Sequence, residues 1–99
     1  MNIDFDAPIL DFKGTPVPEG MTVGSCAIAA LQHLYQGEEI TPDVKVKRFK
    51  LAVRIAQADL PLSLTADDVS VIKTVVGKYW NPLVVGRVFE AIDPESMRA

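Results

Sequence analysis

Residues 65–92 read TADDVSVIKTVVGKYWNPLVVGRVFEAI, and the break near the middle of this stretch decides the fold. Thr65 is a good N-cap, because its hydroxyl accepts from free backbone N–H groups of a first helical turn. Asp68 stands three residues on, where a capping-box acid belongs, and Asp67 and Asp68 set negative charge at the positive end of the helix dipole. At about 100° per residue, Val69, Val71, Ile72, Val75, Val76 and Tyr79 share one side, with Ser70, Lys73, Thr74 and Lys78 opposite. Gly77 and Lys78 predict the helix end. Asn81-Pro82 then predicts a new start, cap followed by proline. In the second segment Val84, Val85, Val88, Phe89, Ala91 and Ile92 form the inner arc. Arg87 and Glu90 are assigned to the water side, and Gly86 to a close backbone approach. The reading is a tight helical hairpin.

Working back from it, Thr41-Pro42 repeats the cap-and-proline start and opens a helix to about Asp59. This helix is apolar on two sides. Val46, Phe49, Val53, Ala56 and Leu60 form one arc, and Val44, Leu51 and Ile55 a second. A helix apolar on two sides packs between two elements or between its own fold and a partner, so it is predicted to be the central one. Before it, Thr22 or Ser25 caps a small-residue helix to about Gln36, stopped by Gly37. Pro8 to Phe12 and Thr15 to Val17 read as a short β-hairpin turning at Gly14. Residues 1–7 alternate apolar and polar, which predicts a strand or a flexible arm.

The class that follows is α+β, mostly helical: one domain over residues 1–99, with arm 1–7, β-hairpin 8–20 and a core of about four short helices over 21–94. The predicted core includes Leu31, Phe49, Val53, Ile72, Val76, Val88 and Phe89. A chain of 99 residues can bury such a core without disulfides or metals. The 48% hydrophobic content is high for so small a domain, and some of that surface is expected to meet a partner.

Net charge of −3 disfavours a general nucleic-acid binder. The single cysteine, Cys26, fits a reducing compartment, and the acidic N-terminus does not resemble a signal peptide, so a cytoplasmic setting is expected. No run of residues approaches the roughly 18 apolar positions of a membrane span. Charge is nevertheless segregated. Residues 1–40 carry six acids against Lys13, whereas residues 41–60 carry five bases against Asp43 and Asp59.

Few residues invite chemistry. Cys26 and His33 lie two helical turns apart, roughly 10 Å, which is too far for a nucleophile and its base. One cysteine and one histidine fall short of a four-ligand metal site. Glycines do not form a phosphate loop. No catalytic, cofactor-binding or metal-ligating residue is therefore assigned, and no enzymatic activity is expected. Residues 65–92 have the order of a DNA-binding helix–turn–helix, but the second helix opens on Leu83, Val84 and Val85, which do not read base edges. Lys47, Lys50 and Arg54 form a basic stripe, the candidate phosphate contacts. Phe5, Tyr79 and Trp80 are candidate anchors of an interaction surface.

Three segments, PILDFKGTPV, VKRFKLAVRIAQAD and LTADDVSVIKTVVGKYWNPLVVGRVFEAI, carry the patterns D-x-x-G-x-P, K-x-K-R-[FY]-x-L-A (opening at Lys45) and V-G-K…P-L-V-V-G. In this order they resemble a group of small, largely uncharacterised proteins of tailed phages and prophages. The resemblance implies a phage or prophage origin and a cytosolic setting, and brings no catalytic residue with it. Together these readings predict a non-enzymatic accessory or assembly protein that acts through a protein partner or self-association, without a membrane. The alternative is a nucleic-acid-associated phage regulator using the basic stripe.

Overall fold

The computed structural model describes residues 2–58 and 61–98. Four helices begin where side chains satisfy the free N–H groups of a first turn. Helix α1 (Val23–Gln32) opens on a reciprocal capping box between Thr22 and Ser25. Helix α2 (Pro42–Ala56) opens on Thr41 with proline in its first turn. Helix α3 (Ala66–Tyr79) opens on the Thr65–Asp68 capping box, and helix α4 (Pro82–Ile92) on Asn81, whose side chain accepts from the Val84 N–H. A 3-10 turn, Pro94–Met97, follows.

Helix ends differ from the sequence reading. Helix α1 stops at Gln32 rather than near 36. His33 turns extended, and the Tyr35 hydroxyl donates to the Ala30 carbonyl at 2.7 Å, satisfying one of the acceptors a helix end leaves open. Gly77 lies inside α3, which runs on to Tyr79; it ends because Trp80 turns extended to lead into the Asn81 cap.

The central helix is α1, and this corrects the expectation placed on α2. Helix α1 packs against α2, α3 and α4, and its small face (Gly24, Cys26, Ala27, Ala30) lets them come close. Helix α2 buries only Leu51 and Ile55, together with the stems of half-buried neighbours; its other apolar arc turns outward. Phe49 is 67% exposed, so the core assignment of Phe49 fails, and Val53 is only half-buried. Leu31, Ile72, Val76 and Val88 do lie in the core, with half-buried Phe89 packed against it. Helix α2 also ends early, at Ala56 with Gln57 as its C-cap, rather than near Asp59, which itself lies outside the described residues.

What fills the core in place of Phe49 is the N-terminal segment. Strand β1 (Asn2–Ile3) pairs antiparallel with β2 (Leu62–Ser63), setting Ile3 opposite Leu62. Beyond it, Phe5 accepts from the Gly24 N–H at 2.8 Å, and Ala7 from the Val23 N–H at 2.9 Å. Ile3, Phe5 and Ile9 are buried while Asn2, Asp4 and Asp6 face out, the alternation of an extended segment on a core. Residues 2–7 are thus part of the domain rather than an arm. Gly24 permits this approach. A Cβ there would stand 2.9 Å from the Phe5 carbonyl oxygen. The close approach assigned to Gly86 is found at Gly24 instead; nothing lies within 4 Å of a Cβ at Gly86.

Residues 8–20 fold back as the expected hairpin, closed by a bridge between Leu10 and Pro16, with Gly14 at φ +89°. Pro16 and Pro18 keep the return limb from becoming a regular strand. Arg87, read as solvent-facing, instead crosses from α4 and donates to the carbonyls of Leu10 at 3.0 Å and Asp11 at 2.6 Å. The hairpin is tied to α4 by this one side chain.

Candidate docking surface

The outward arc of α2 follows from helix geometry. At about 100° per residue, Val46, Phe49 and Val53 make one apolar stripe, with Lys45 on one flank and Lys50 on the other. The opposite face, Leu51 and Ile55, is occupied by the core, so the stripe has no partner within the described fold. Val46 is 48% exposed beside Phe49.

The stripe borders a groove. A cavity of about 480 Å³ opens between the C-terminal half of α1, the loop over residues 33–41 and α2. Ile28, Leu31, Ala52 and Val53 line it, together with Leu34, a loop leucine that is 66% exposed. Its charged or titratable lining residues are Lys45, Arg48 and His33, and none of them is an acid.

The loop that forms one wall is held by charge and by aromatic contacts. Gly37, at φ +81°, turns the chain, and the Glu38 N–H donates to Tyr35. The Glu38 carboxylate then accepts from both terminal nitrogens of Arg48, at 2.9 and 3.1 Å, and from Lys78 at 3.4 Å. The Arg48 fork is the main reason the Glu38 carboxyl is held down to about 2. Arg48 Nε is buried without a partner among the described residues, so all of this guanidinium's bonding goes through the Glu38 fork. The Tyr35 hydroxyl, whose one proton goes to Ala30 or is shared, also lies 3.1 Å from the Val75 carbonyl, and burial pushes its pKa up. His33 sits edge-on to Tyr35, with centroids 4.8 Å apart, and 5.0 Å from Tyr79. A fixed wall on a fixed helix makes the groove a preformed feature of the fold.

The sequence-assigned candidates fall elsewhere. Phe5 is buried at 5% exposure, where it packs in the core and offers no anchor. Trp80 is half-buried, and its ring N–H donates to the Cys26 carbonyl at 2.9 Å, which makes it a plug at the end of α1. Tyr79 beside it stays 41% exposed. Of the basic stripe, Lys47 pairs with Asp67, and Arg54 pairs with Asp68 at 3.3 Å while donating to the Ser63 carbonyl. These two clasp α2 to the N-terminus of α3, while Lys50 has no ion-pair partner among the described residues. Cys26 is fully buried and His33 exposed, so the fold does not bring them together as a thiol–imidazole pair; burial pushes the thiol up.

Sequence reasoning missed Phe49 and Leu34 as surface residues. One signal was available for Phe49: its stripe is flanked by lysines on both sides, the pattern of an apolar face at the edge of solvent. Leu34 carried none, since its exposure follows from the early stop of α1. Among the described residues, no group of three or more His, Cys, Asp or Glu side chains could hold a metal ion, and no helix is long and apolar enough to cross a membrane. In comparisons with known proteins, no family model, no curated sequence and no solved structure matches this chain.

Proposed function

We propose that this chain is a non-enzymatic protein-interaction module, an accessory or assembly protein of tailed-phage or prophage origin, working in the cytoplasm through the outward stripe of α2. The observation that carries the reading is Phe49, a large aromatic ring 67% exposed on a helix whose other face already serves the core. Burying such a ring in a partner is worth about 1.5–3 kcal/mol, and aromatic anchors of this kind dominate interface energetics. The phage origin rests on the three sequence patterns spanning most of the chain. The alternative, phosphate contact by Lys47, Lys50 and Arg54, draws less support because Asp67 and Asp68 already engage two of the three.

The test is photo-crosslinking in phage-infected cells with p-benzoylphenylalanine replacing Phe49. The same replacement of Phe12, which is 83% exposed at the hairpin tip, is the control. A discrete protein adduct at position 49 and none at position 12 is expected. Equal adducts at both positions, or none at either, would overturn the reading.

A further inference from the structure

The lining of the groove specifies its occupant. In a chain with 13 acids against 10 Lys and Arg, the groove has no carboxylate among its lining residues; Arg48 is neutralised by Glu38, and Lys45 has no ion-pair partner among the described residues. Lys50, on the other flank of the stripe with Asp43 near its start, is a second lysine without an ion-pair partner among the described residues. Resting on the reading of this stripe as a docking face, we propose that the groove takes an acidic amphipathic helix from a different protein. Its apolar side would meet Phe49, Leu34 and Val53, and its carboxylates would meet Lys45 and Lys50.

The dimensions fit a helix. Val46, Phe49 and Val53 recur at steps of three and four residues, so the stripe covers two turns, about 10 Å, of α2. That is the spacing at which a partner helix presents its own anchors. Strand addition has no template at the groove, because the sheet pairs residues 2–3 with 62–63 and no strand among the described residues borders the groove.

A second copy of this chain does not fit. Two α2 stripes laid together, parallel or antiparallel, set Lys45 or Lys50 of one copy against a lysine flank of the other, and with Asp43 the one acid on these flanks the like charges oppose association. The other helices have no acidic amphipathic face to contribute. Helix α1 has no charged residue, Asp67 and Asp68 of α3 are engaged by α2, and Glu90 of α4 pairs with Arg87.

The experiment uses the full chain and two synthetic helical peptides of about 15 residues, the length of α2. Both carry identical leucine and phenylalanine anchors; the flanks are glutamate in one and lysine in the other. Fluorescence anisotropy should give binding of the glutamate peptide about tenfold tighter than the lysine peptide, the size expected of two exposed ion pairs. The preference should fall with added salt and reverse in the double variant Lys45→Glu, Lys50→Glu. Phe49→Ala should weaken both peptides. Equal binding of the two peptides, still lost in Phe49→Ala, would overturn the acidic partner and leave the docking face standing. No binding of either peptide, with no crosslink from position 49, would remove both. Binding to vesicles of phosphatidylcholine with phosphatidylglycerol but to neither peptide would overturn the inference in favour of an anionic lipid surface. Phe49-dependent self-association in sedimentation velocity would overturn it in favour of a second copy.

Discussion

Replacing Gly24 with alanine sets two physical effects against each other, and the packing of residues 2–9 on α1 decides the sign. Helix propensity alone favours alanine over glycine by up to about 1 kcal/mol. At Gly24, however, the new Cβ would sit 2.9 Å from the Phe5 carbonyl oxygen, 3.2 Å from the Phe5 Cβ and 3.3 Å from the Ile55 Cγ2. Two of these atoms belong to a segment held by the 2.8 Å hydrogen bond from the Gly24 N–H itself, so relief means stretching that bond. Inserting a methyl into a packed site costs about 1–3 kcal/mol, and a weakened backbone hydrogen bond adds about 0.5–1.5 kcal/mol. The expected net loss for Gly24→Ala is therefore about 1–3 kcal/mol. Gly77→Ala is the internal control. It lies in the last turn of α3 with nothing within 4 Å of the new Cβ, and should stabilise by up to about 0.5 kcal/mol. Urea unfolding followed by far-UV circular dichroism separates the two, provided the slope against denaturant stays constant. For a domain of this size, about 1 kcal/mol is about 4–8 °C in Tm. If Gly24→Ala proved as stabilising as Gly77→Ala, the N-terminal segment would not be packed on α1, and the account of the core would fall with it.

Three further outcomes are expected. Phe49→Ser should change stability by no more than about 0.5 kcal/mol in the same urea assay, whereas a core phenylalanine would cost about 3–5 kcal/mol; a loss in the second range would return Phe49 to the interior. Arg87→Gln should cost about 1.5–3 kcal/mol, because it removes charged donors from two carbonyls, and should speed amide exchange across residues 10–17 more than in α3. Glu38 contributes stability that is present above the ordinary carboxylate range and lost as pH falls toward about 2, since its carboxyl is held low in the fold. Acid titration of Glu38→Gln should accordingly give a flatter stability profile below pH 4 or so than the wild type, and identical slopes would contradict the Arg48–Glu38 clasp.

Local chemistry made the helix starts legible in the sequence. Thr41-Pro42, Thr65 with Asp68 and Asn81-Pro82 each cap a helix as read, because a cap is settled within four residues. Helix ends were less legible. Gly77 has the residue type of a stop, yet α3 passes through it, because the alternative stop at Asn81-Pro82, beginning four residues later, is stronger. The larger error concerned which helix is central, and it has one cause. Periodicity reports that α2 has two apolar arcs, but not which arc meets the core, and that depends on long-range competitors. Ile3, Phe5 and Ile9 are such competitors. They reach the core because Gly24 lets a backbone lie against α1, a contact spanning 19 residues of sequence that no local pattern encodes.

The surface follows from the same competition. Had residues 1–7 been the arm that their alternation also allowed, the core would have lacked Ile3 and Phe5. The arc of Val46 and Phe49 was then the remaining apolar material on α2 able to replace them. With the N-terminal segment in place, that arc is surplus to folding. An exposed phenylalanine gains nothing for the domain's own stability and adds apolar surface that favours association. Lysines on both flanks oppose the simplest such association, two α2 stripes face to face, while remaining attractive to carboxylates. The exposure of Phe49 thus marks a face left over by folding, and the lysines beside it are what the proposed acidic helix of another chain would meet.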